Sequence, residues 1–160
     1  MSPTPPAHPH APSYYAASAH AAPERPALQG SVEADVCIVG AGYTGLSAGI
    51  SLAEAGFRVV VLEQSRVGWG ASGRNGGQIV HSYSRDIGVI PAQFGAEKTR
   101  PLGEMMFEGA RIIRERVARY GIDCDLKNGG IYAATTPRKV GQLVEHQALW
   151  KRWGHRDLAL

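Results

Sequence analysis

The sequence predicts an α/β fold: a Rossmann-like, dinucleotide-binding βαβ unit followed by the start of a second, α+β domain. Three observations support this prediction. Two short apolar runs, residues 35–39 and 58–62, enclose a helical stretch that is rich in small residues. A G-x-G-x-x-G pattern joins the first run to the helix, and an acidic residue follows the second run. Continuous apolar runs are typical of parallel strands that are covered on both faces.

The first half of the chain supplies the predicted βαβ unit. The strand at residues 35–39 leads into a helix from about Thr44 to Ala55, which Gly56 ends. The strand at residues 58–62 follows. Cys37 lies inside the first apolar run, so we expect it to be buried, as free cysteines often are.

The second half is predicted to begin with a helix from about Gly103 to Tyr120, capped by Gly121. Its apolar residues recur at alternating steps of four and three, which places them on one face. These residues are Met106, Ala110, Ile113, Val117 and Tyr120. On the charged side, Arg111 is within reach of Glu108 and Glu115.

A hairpin and a third helix are predicted next. Residues 122–127 and 131–135 are the expected strands, joined through an Asn-Gly-Gly turn. Cys124 lies in the first of these strands and is also expected to be buried. Thr136 and Pro137 predict the start of a helix that runs to about Trp153. The chain then stops at residues 157–160, which look like the start of another element, so we expect an incomplete fold.

Composition and charge exclude several classes of partner. Residues 1–30 are rich in Pro and Ala and predict a disordered tail, from which Tyr14 and Tyr15 are able to dock on the folded part. The net charge of +3 is spread along the 160 residues and predicts no nucleic-acid partner. No apolar stretch reaches the roughly 18 residues of a membrane helix. No secretory signal and no metal-ligand spacing are seen, so we expect a cytoplasmic protein without a metal site.

The glycine pattern predicts a phosphate-binding turn. Gly40 allows the tight turn out of the strand, Gly42 lets the backbone approach a pyrophosphate, and Gly45 lets the helix pack close to the strand. The helix N-terminus then offers free N–H groups and the positive end of its dipole to the anion. A purely structural βαβ unit with chance glycines is the alternative.

Glu63 is the predicted ribose-binding residue. It ends the second strand at close to the expected spacing of about 20 residues from the first glycine. A carboxylate at this place accepts hydrogen bonds from ribose hydroxyls and disfavours NADP, whose 2′-phosphate it repels. The turn alone does not decide between FAD and NAD. A second glycine cluster, residues 68–78, favours FAD, whereas an NAD-dependent dehydrogenase predicts further βα repeats after Glu63.

Two runs resemble the FAD-dependent oxidoreductases of the D-amino-acid oxidase type. They are DVCIVGAGYTGLS, at residues 35–47, and GWGASGRNGGQ, at residues 68–78. Shorter stretches over nearly the whole chain are similar to the same family. The resemblance implies a FAD-binding unit over residues 31–90 and, over residues 91–160, the incomplete start of a substrate domain. The relatives are much longer, so it also implies a partner region in the remaining C-terminal part of the fold.

The resemblance also implies the residues that contact FAD. Gly40, Gly42 and Gly45 hold the pyrophosphate, and Glu63 holds the ribose. Ser72, Arg74, Asn75 and Gln78 are candidates for flavin contacts. The remaining candidates lie beside these residues in the two runs or directly after Glu63: Tyr43, Thr44, Gln64, Gly70, Ala71, Gly76 and Gly77. His81 and Tyr83 are expected to pack or to lie at the surface rather than to face a substrate.

The implied activity is the oxidation of a small-molecule amine. A hydride passes from the carbon beside the amine to the flavin, and oxygen then reoxidises the flavin to give hydrogen peroxide. No residue of this chain is assigned as catalytic. Three alternatives stay open at this point: a flavin-binding fragment without turnover, another amine or amino-acid oxidase or dehydrogenase of the same family, and an NAD-dependent dehydrogenase.

Overall fold

The computed structural model describes residues 9–23, 25–80, 83, 87–152, 154–155 and 159. The chain divides into two compact units, Met1–Gln78 and Ile79–Leu160, whereas the sequence placed the division after residue 90. His81, Trp153 and residues 156–158 lie outside the described part. In the tail, residues Tyr14–Ser18 form a short helix, α1.

The first unit contains a parallel strand–helix–strand arrangement. Strand β1 covers Val36–Val39, helix α2 covers Tyr43–Glu54, and strand β2 covers Val59–Leu62. The two strands pair in parallel, with Val36 opposite Val59. These bounds agree with the predicted elements to within one residue at each end.

Helix α2 packs closely on the two strands through a glycine. A Cβ on Gly49 would lie 3.2 Å from Val61 Cγ2 and 3.5 Å from Ile38 Cδ1. These short distances show that helix α2 covers one face of the sheet. At the edge of the sheet where the strands begin, the exposed Arg58 and Asp35 side chains form an ion pair at 2.8 Å.

The prediction that Cys37 is buried was wrong. Cys37 is exposed, and burial along β1 alternates between half-buried and exposed residues. Val39, in the same alternation, is 86% exposed. The continuous apolar run indicated a strand covered on both faces, but within the described residues only the face towards α2 is covered.

The second unit is built on a long helix, α3, over Ile90–Tyr120. It begins well before the predicted start at Gly103 because a helical segment precedes a kink. Gly95 marks the kink, with φ of 78° and ψ of 163°. The buried Thr99 hydroxyl donates to the Gly95 carbonyl at 2.7 Å. Gly121 ends the helix in the left-handed conformation, as predicted.

The predicted apolar face of α3 is confirmed only in part. Ala110 is buried, and Met106 and Val117 are half-buried. Ile113 and Tyr120 are 44% and 49% exposed, so the buried stripe is narrower than the sequence pattern. The predicted ion pairs of Arg111 with Glu108 and Glu115 are both present.

The predicted hairpin over residues 122–135 is not formed. These residues contain no strand, and Cys124, expected to be buried there, is exposed. Asp125 has a positive φ of 52°, which interrupts an extended run, and Ile131 is 96% exposed. Gly129 adopts the positive φ that a hairpin turn needs, at 85°. The local turn signal was therefore present, but the flanking residues have no packed surface to hold them in register.

The last helix, α4, covers Pro137–Arg152. The Thr136 hydroxyl accepts a hydrogen bond from the Lys139 N–H at 3.3 Å, which confirms the predicted cap. In the described part of the chain, none of the helices combines the length and apolarity needed to cross a membrane. The same residues contain no group of three acidic, histidine or cysteine side chains arranged to hold a metal ion.

Candidate functional site

The turn between β1 and α2 leaves the N-terminus of the helix open. Gly40 has a φ of 101°, a conformation that side-chain-bearing residues rarely adopt. Gly42 is the N-cap of α2 and has no side-chain hydrogen bond to the helix. The next residues, Tyr43 and Thr44, are both exposed. The first turn of α2 therefore presents a positive dipole end and, beyond the Tyr43 N–H that donates to Ser72 Oγ, the backbone N–H of Thr44, which favour an anion.

Gly45 has no room for a side chain. A Cβ at this position would overlap the carbonyl oxygen of Gly40 and would lie 3.2 Å from Ile38 Cγ2. The third glycine of the pattern is therefore the point at which the helix meets the turn before it. This close approach is the role that the sequence assigned to Gly45.

The Glu63 carboxylate connects the end of β2 to the same turn. Its Oε2 accepts a hydrogen bond from the Ala41 N–H at 2.8 Å, and its Oε1 accepts one from the Ser65 N–H at 2.9 Å. The Ala41 N–H, then the Ser65 N–H and to a lesser degree the Gln64 N–H hold the pKa of Glu63 below its usual value. Glu63 is half-buried and carries its negative charge at the opening of the turn.

The second glycine cluster lies directly against the first. We call residues 68–78 the glycine-rich loop. The Gly68 N–H donates to the Ala41 carbonyl at 2.9 Å, and the Tyr43 N–H donates to Ser72 Oγ at 3.0 Å. Ser72 Oγ also lies 3.0 Å from the point where a Cβ on Gly42 would sit. The loop thus borders the open N-terminus of α2.

The Asn75 side chain holds the glycine-rich loop together. Its Nδ2 donates to the Ser72 carbonyl at 2.9 Å and to the Tyr43 hydroxyl at 3.0 Å, and lies 3.3 Å from the Ala71 carbonyl. Its Oδ1 accepts from the Gly77 N–H at 2.9 Å. One amide group therefore ties three parts of the loop to the first residue of α2.

Arg74 and Trp69 form a stacked pair on the same loop. The Arg74 guanidinium lies 4.6 Å from the centre of the Trp69 ring, and its Nε donates to the Trp69 carbonyl at 3.1 Å. A cation over an indole face is favourable because of the ring quadrupole. The exposed Arg74 side chain therefore places a fixed positive charge on the loop.

The glycine-rich loop repeats the local geometry of the first turn. Gly68, like Gly40, has a positive φ, of 70°. A Cβ on Gly73 would overlap the Gly68 carbonyl oxygen, as one on Gly45 would overlap that of Gly40. Both segments share the G-x-G-x-x-G spacing. The candidate residues chosen from the sequence did not include Gly68, Gly73, Trp69 or Ala41, although the repeated spacing was a signal for the first two.

The remaining candidates take up less specific positions. Ala71 and Ser72 lie in a short 3-10 turn, Ala71–Gly73, for which Gly70 is the N-cap. Gly77 has a positive φ of 65°, and the described part of the chain leaves open space around the Cβ positions of Gly70 and Gly77. The Gln64 and Gln78 side chains are exposed. The Tyr83 hydroxyl, in the second unit, donates to the Leu102 carbonyl at 2.7 Å.

Comparison with known protein families supports the sequence resemblance. A family model described as "FAD dependent oxidoreductase" matches residues 35–160, which is most of the chain. The chain belongs to this family. FAD is therefore the cofactor that the family implies, and the open helix N-terminus, the glycine contacts and the fixed carboxylate all fit a dinucleotide.

Curated relatives match nearly the whole chain. Gamma-glutamylputrescine oxidoreductase of Escherichia coli (strain K12) is 55% identical over 151 residues, covering 94% of this chain and 35% of the relative. A probable oxidoreductase, OrdL, of Haemophilus influenzae is 40% identical over 152 residues with the same coverage. The chain therefore spans 35% of the length of these relatives. No solved structure matches it.

Proposed function

We propose that this chain supplies the FAD-binding part of an amine oxidoreductase, with a Rossmann-like βαβ unit as its core. The observation that carries the proposal is the contact between Gly45 and the Gly40 carbonyl, where a Cβ has no room. This contact brings the open N-terminus of α2 against the end of β1. A pyrophosphate is the ligand that such a turn is suited to bind.

The first turn is proposed to hold the adenosine half of FAD. Gly40, Gly42 and Gly45 shape the turn, and the Thr44 N–H lies at the end of the helix that attracts the pyrophosphate, beside the Tyr43 N–H that donates to Ser72 Oγ. Glu63 is proposed to accept hydrogen bonds from the ribose. Its oxygens each accept one backbone N–H, and a carboxylate offers about four lone-pair sites in total. Capacity for ribose hydroxyls therefore remains.

The glycine-rich loop is proposed to border the flavin half. The residues concerned are Gly70, Ala71, Ser72, Arg74, Asn75, Gly76, Gly77 and Gln78, with Gln64 at the ribose side. Arg74 is the fixed cation among them because Trp69 holds it by stacking. With FAD bound, Arg74 would supply positive charge that favours the reduced, negatively charged cofactor.

The proposed reaction is the oxidation of a C–N bond in gamma-glutamylputrescine or a related amine. This substrate is suggested by the name of the relative that shares 55% identity. When bound, FAD supplies an acceptor for the hydride from the carbon beside the amine, and oxygen finally takes both electrons to give hydrogen peroxide. The residues of this chain bind and orient the cofactor. We propose no catalytic residue among them.

The cofactor proposal is tested by adding FAD to the purified chain and following the flavin absorption through gel filtration. Wild type is compared with Gly42→Ala, whose added methyl group would lie 3.0 Å from Ser72 Oγ, at the end of α2 that is proposed to meet the pyrophosphate. Gly141→Ala is the matched control because a Cβ there, in α4, meets open space. We expect bound flavin in wild type and in the control, and at least about tenfold weaker binding in Gly42→Ala. Equal binding in all three would overturn the proposed pyrophosphate site.

The oxidoreductase proposal is tested with a chimaera. The chain replaces the matching 35% of the Escherichia coli relative. We expect the chimaera to retain FAD and to bleach its flavin absorption when gamma-glutamylputrescine is added without oxygen. A chimaera that folds but does not bind FAD would contradict the proposal that this chain binds the cofactor.

A further inference from the structure

The N-terminal tail is hydrogen-bonded to the glycine-rich loop at one point and approaches it at a second. The Trp69 indole N–H donates to the Pro9 carbonyl at 2.9 Å, across 60 residues of sequence. The Tyr15 hydroxyl lies 3.6 Å from the place where a Cβ on Gly76 would sit. Both contacts lie within the first unit. The tail therefore meets the loop near both of its ends.

The part of the tail between these contacts is locally ordered. Ser13 caps the short helix α1, since its Oγ accepts from the Ala16 N–H at 3.1 Å and its carbonyl from the Ala17 N–H at 3.0 Å. Ala11, Ser13 and Ala16 are half-buried, while the residues between them are exposed. This alternation is typical of a segment with one side against a surface, and the short helix within it differs from the disordered tail that the composition predicts.

The glycine-rich loop needs such external support. Five of its eleven residues are glycines, and glycine loses more conformational freedom on ordering than any other residue. On one side the loop is tied to the turn before α2 and to Tyr43. Trp69, which the tail contacts, lies between the tied residues Gly68 and Ser72, and Gly76, which the tail approaches, directly follows the tied Asn75. An ordered neighbour at these positions reduces the conformations open to the loop.

We propose that residues 9–18 are a strap that docks on the glycine-rich loop through the Trp69 indole and holds the loop beside the N-terminus of α2. Trp69 is then a positioning residue: its ring supports the Arg74 guanidinium, and its N–H anchors the strap. The docking of the strap is inferred from these contacts alone. An effect of the strap on FAD affinity also requires the proposed function, that this chain binds FAD.

Hydrogen exchange of backbone amides in the full chain tests the strap. Trp69→Phe removes the N–H donor and keeps an aromatic ring beside Arg74. We expect the Ala16 and Ala17 amides and those of residues 70–77 to exchange about fivefold faster in this variant. The amides of α4 serve as the internal reference and should not change. Unchanged exchange in the tail and the loop, or a wild-type tail without protection, would overturn the proposal.

Two neighbouring tyrosines provide a second, matched comparison. Tyr15 faces Gly76, whereas Tyr14 is 78% exposed. Tyr15→Ala should speed exchange in the glycine-rich loop more than Tyr14→Ala, which removes only the ring that packs edge-on against Tyr15. Equal effects of both variants would contradict a specific dock at Tyr15. These comparisons keep the proposal testable if Trp69→Phe does not fold.

FAD binding, measured on the same variants, separates this inference from the proposed function. If wild type binds FAD, Trp69→Phe and Tyr15→Ala should weaken binding several-fold. Wild type that binds no FAD while the exchange differences appear would contradict the proposed function and leave the strap supported. Loss of FAD binding without any change in exchange would count against the strap.

Discussion

Glu63 accepts the backbone N–H of Ala41 at 2.8 Å, and this hydrogen bond joins the end of β2 to the turn that follows β1. The acidic residue that the sequence assigned to a ribose therefore also shapes the turn itself. The Ser65 N–H, bound to the other carboxylate oxygen at 2.9 Å, holds the side chain in this direction.

The contribution of Glu63 to stability should depend on pH. Its folded pKa lies below its ordinary value of 4.5, chiefly because the Ala41 N–H favours the charged form. Its stabilisation is therefore complete above the unfolded pKa and is lost as the pH falls through the folded pKa. At pH 7 we expect Glu63→Gln to lower the free energy of unfolding by about 1 kcal/mol.

Urea unfolding of wild type and Glu63→Gln at pH 7 and in acid measures this difference. The gap between the two proteins should close in acid. Glu33→Gln changes an exposed carboxylate of the same unit and serves as the control. If the difference in the free energy of unfolding is as large in acid as at pH 7, the charge of Glu63 is not the cause of that difference.

Gly45→Ala should destabilise the first unit. The added Cβ overlaps the Gly40 carbonyl oxygen, and forcing atoms into a packed place costs about 1–3 kcal/mol. Gly109→Ala, in α3, is the matched helical control because its Cβ meets open space. There, alanine should raise the free energy of unfolding by about 0.5–1 kcal/mol, since glycine is the poorer helix former. Urea midpoints that fall equally in both variants would refute the packing argument.

The two inner glycines of the glycine-rich loop should respond differently to alanine. Gly73→Ala places a Cβ on the Gly68 carbonyl, whereas Gly70→Ala places one in open space at a φ of −75°. We expect the melting temperature to fall in Gly73→Ala and to stay near the wild-type value in Gly70→Ala. If Gly70→Ala melts normally but binds FAD more weakly, the cofactor passes close to Gly70. Equal melting shifts in the two variants would contradict the close approach of Gly73 to the Gly68 carbonyl.

The Asn75 amide and the Tyr43 hydroxyl should be energetically coupled. Asn75 Nδ2 donates to this hydroxyl at 3.0 Å. In a double-mutant cycle of Asn75→Ala and Tyr43→Phe, we expect a coupling of about 0.5–1 kcal/mol in the free energy of unfolding. The same cycle with Tyr14→Phe, at a side chain that is 78% exposed, should give additive effects. Additivity in the Tyr43 cycle as well would mean that the contact carries no net stabilisation.

The sequence predicted the elements whose signals are local. The bounds of β1, α2 and β2 follow from apolar runs and from Gly56, which has a positive φ of 92° after the helix. The cap at Thr136 and the left-handed Gly121 were likewise recognised from residue type alone. Each of these features depends on neighbours within a few residues, so the pattern of the sequence was sufficient.

The errors concern long-range packing. Cys37 was expected to be buried because its run is apolar, but its exposure depends on what covers the second face of the sheet. The hairpin at residues 122–135 failed although its turn glycine behaves as expected. The contact of Ser72 with the Tyr43 N–H spans 29 residues, and no spacing rule indicates it. Whether the assigned residues contact FAD stays a prediction.

The isolated chain should be only marginally stable. Its described sheet has two parallel strands, and each has an unpaired edge. The buried hydrophobic side chains among the described residues are Ala41, Ile90 and Ala110, and two of these are small. A two-stranded sheet with so little buried apolar surface makes a poor independent core.

We therefore expect a broad thermal transition and strong binding of the dye ANS, which reports exposed apolar surface. Val39, 86% exposed at the end of β1, is one contributor to this surface. Because a ligand that binds only the folded state stabilises it, added FAD should sharpen the transition and reduce dye binding. AMP at the same concentration is the control, since it lacks the pyrophosphate and the flavin. A sharp, cooperative melt at high temperature without FAD would show that these two strands and their helices suffice for a stable core.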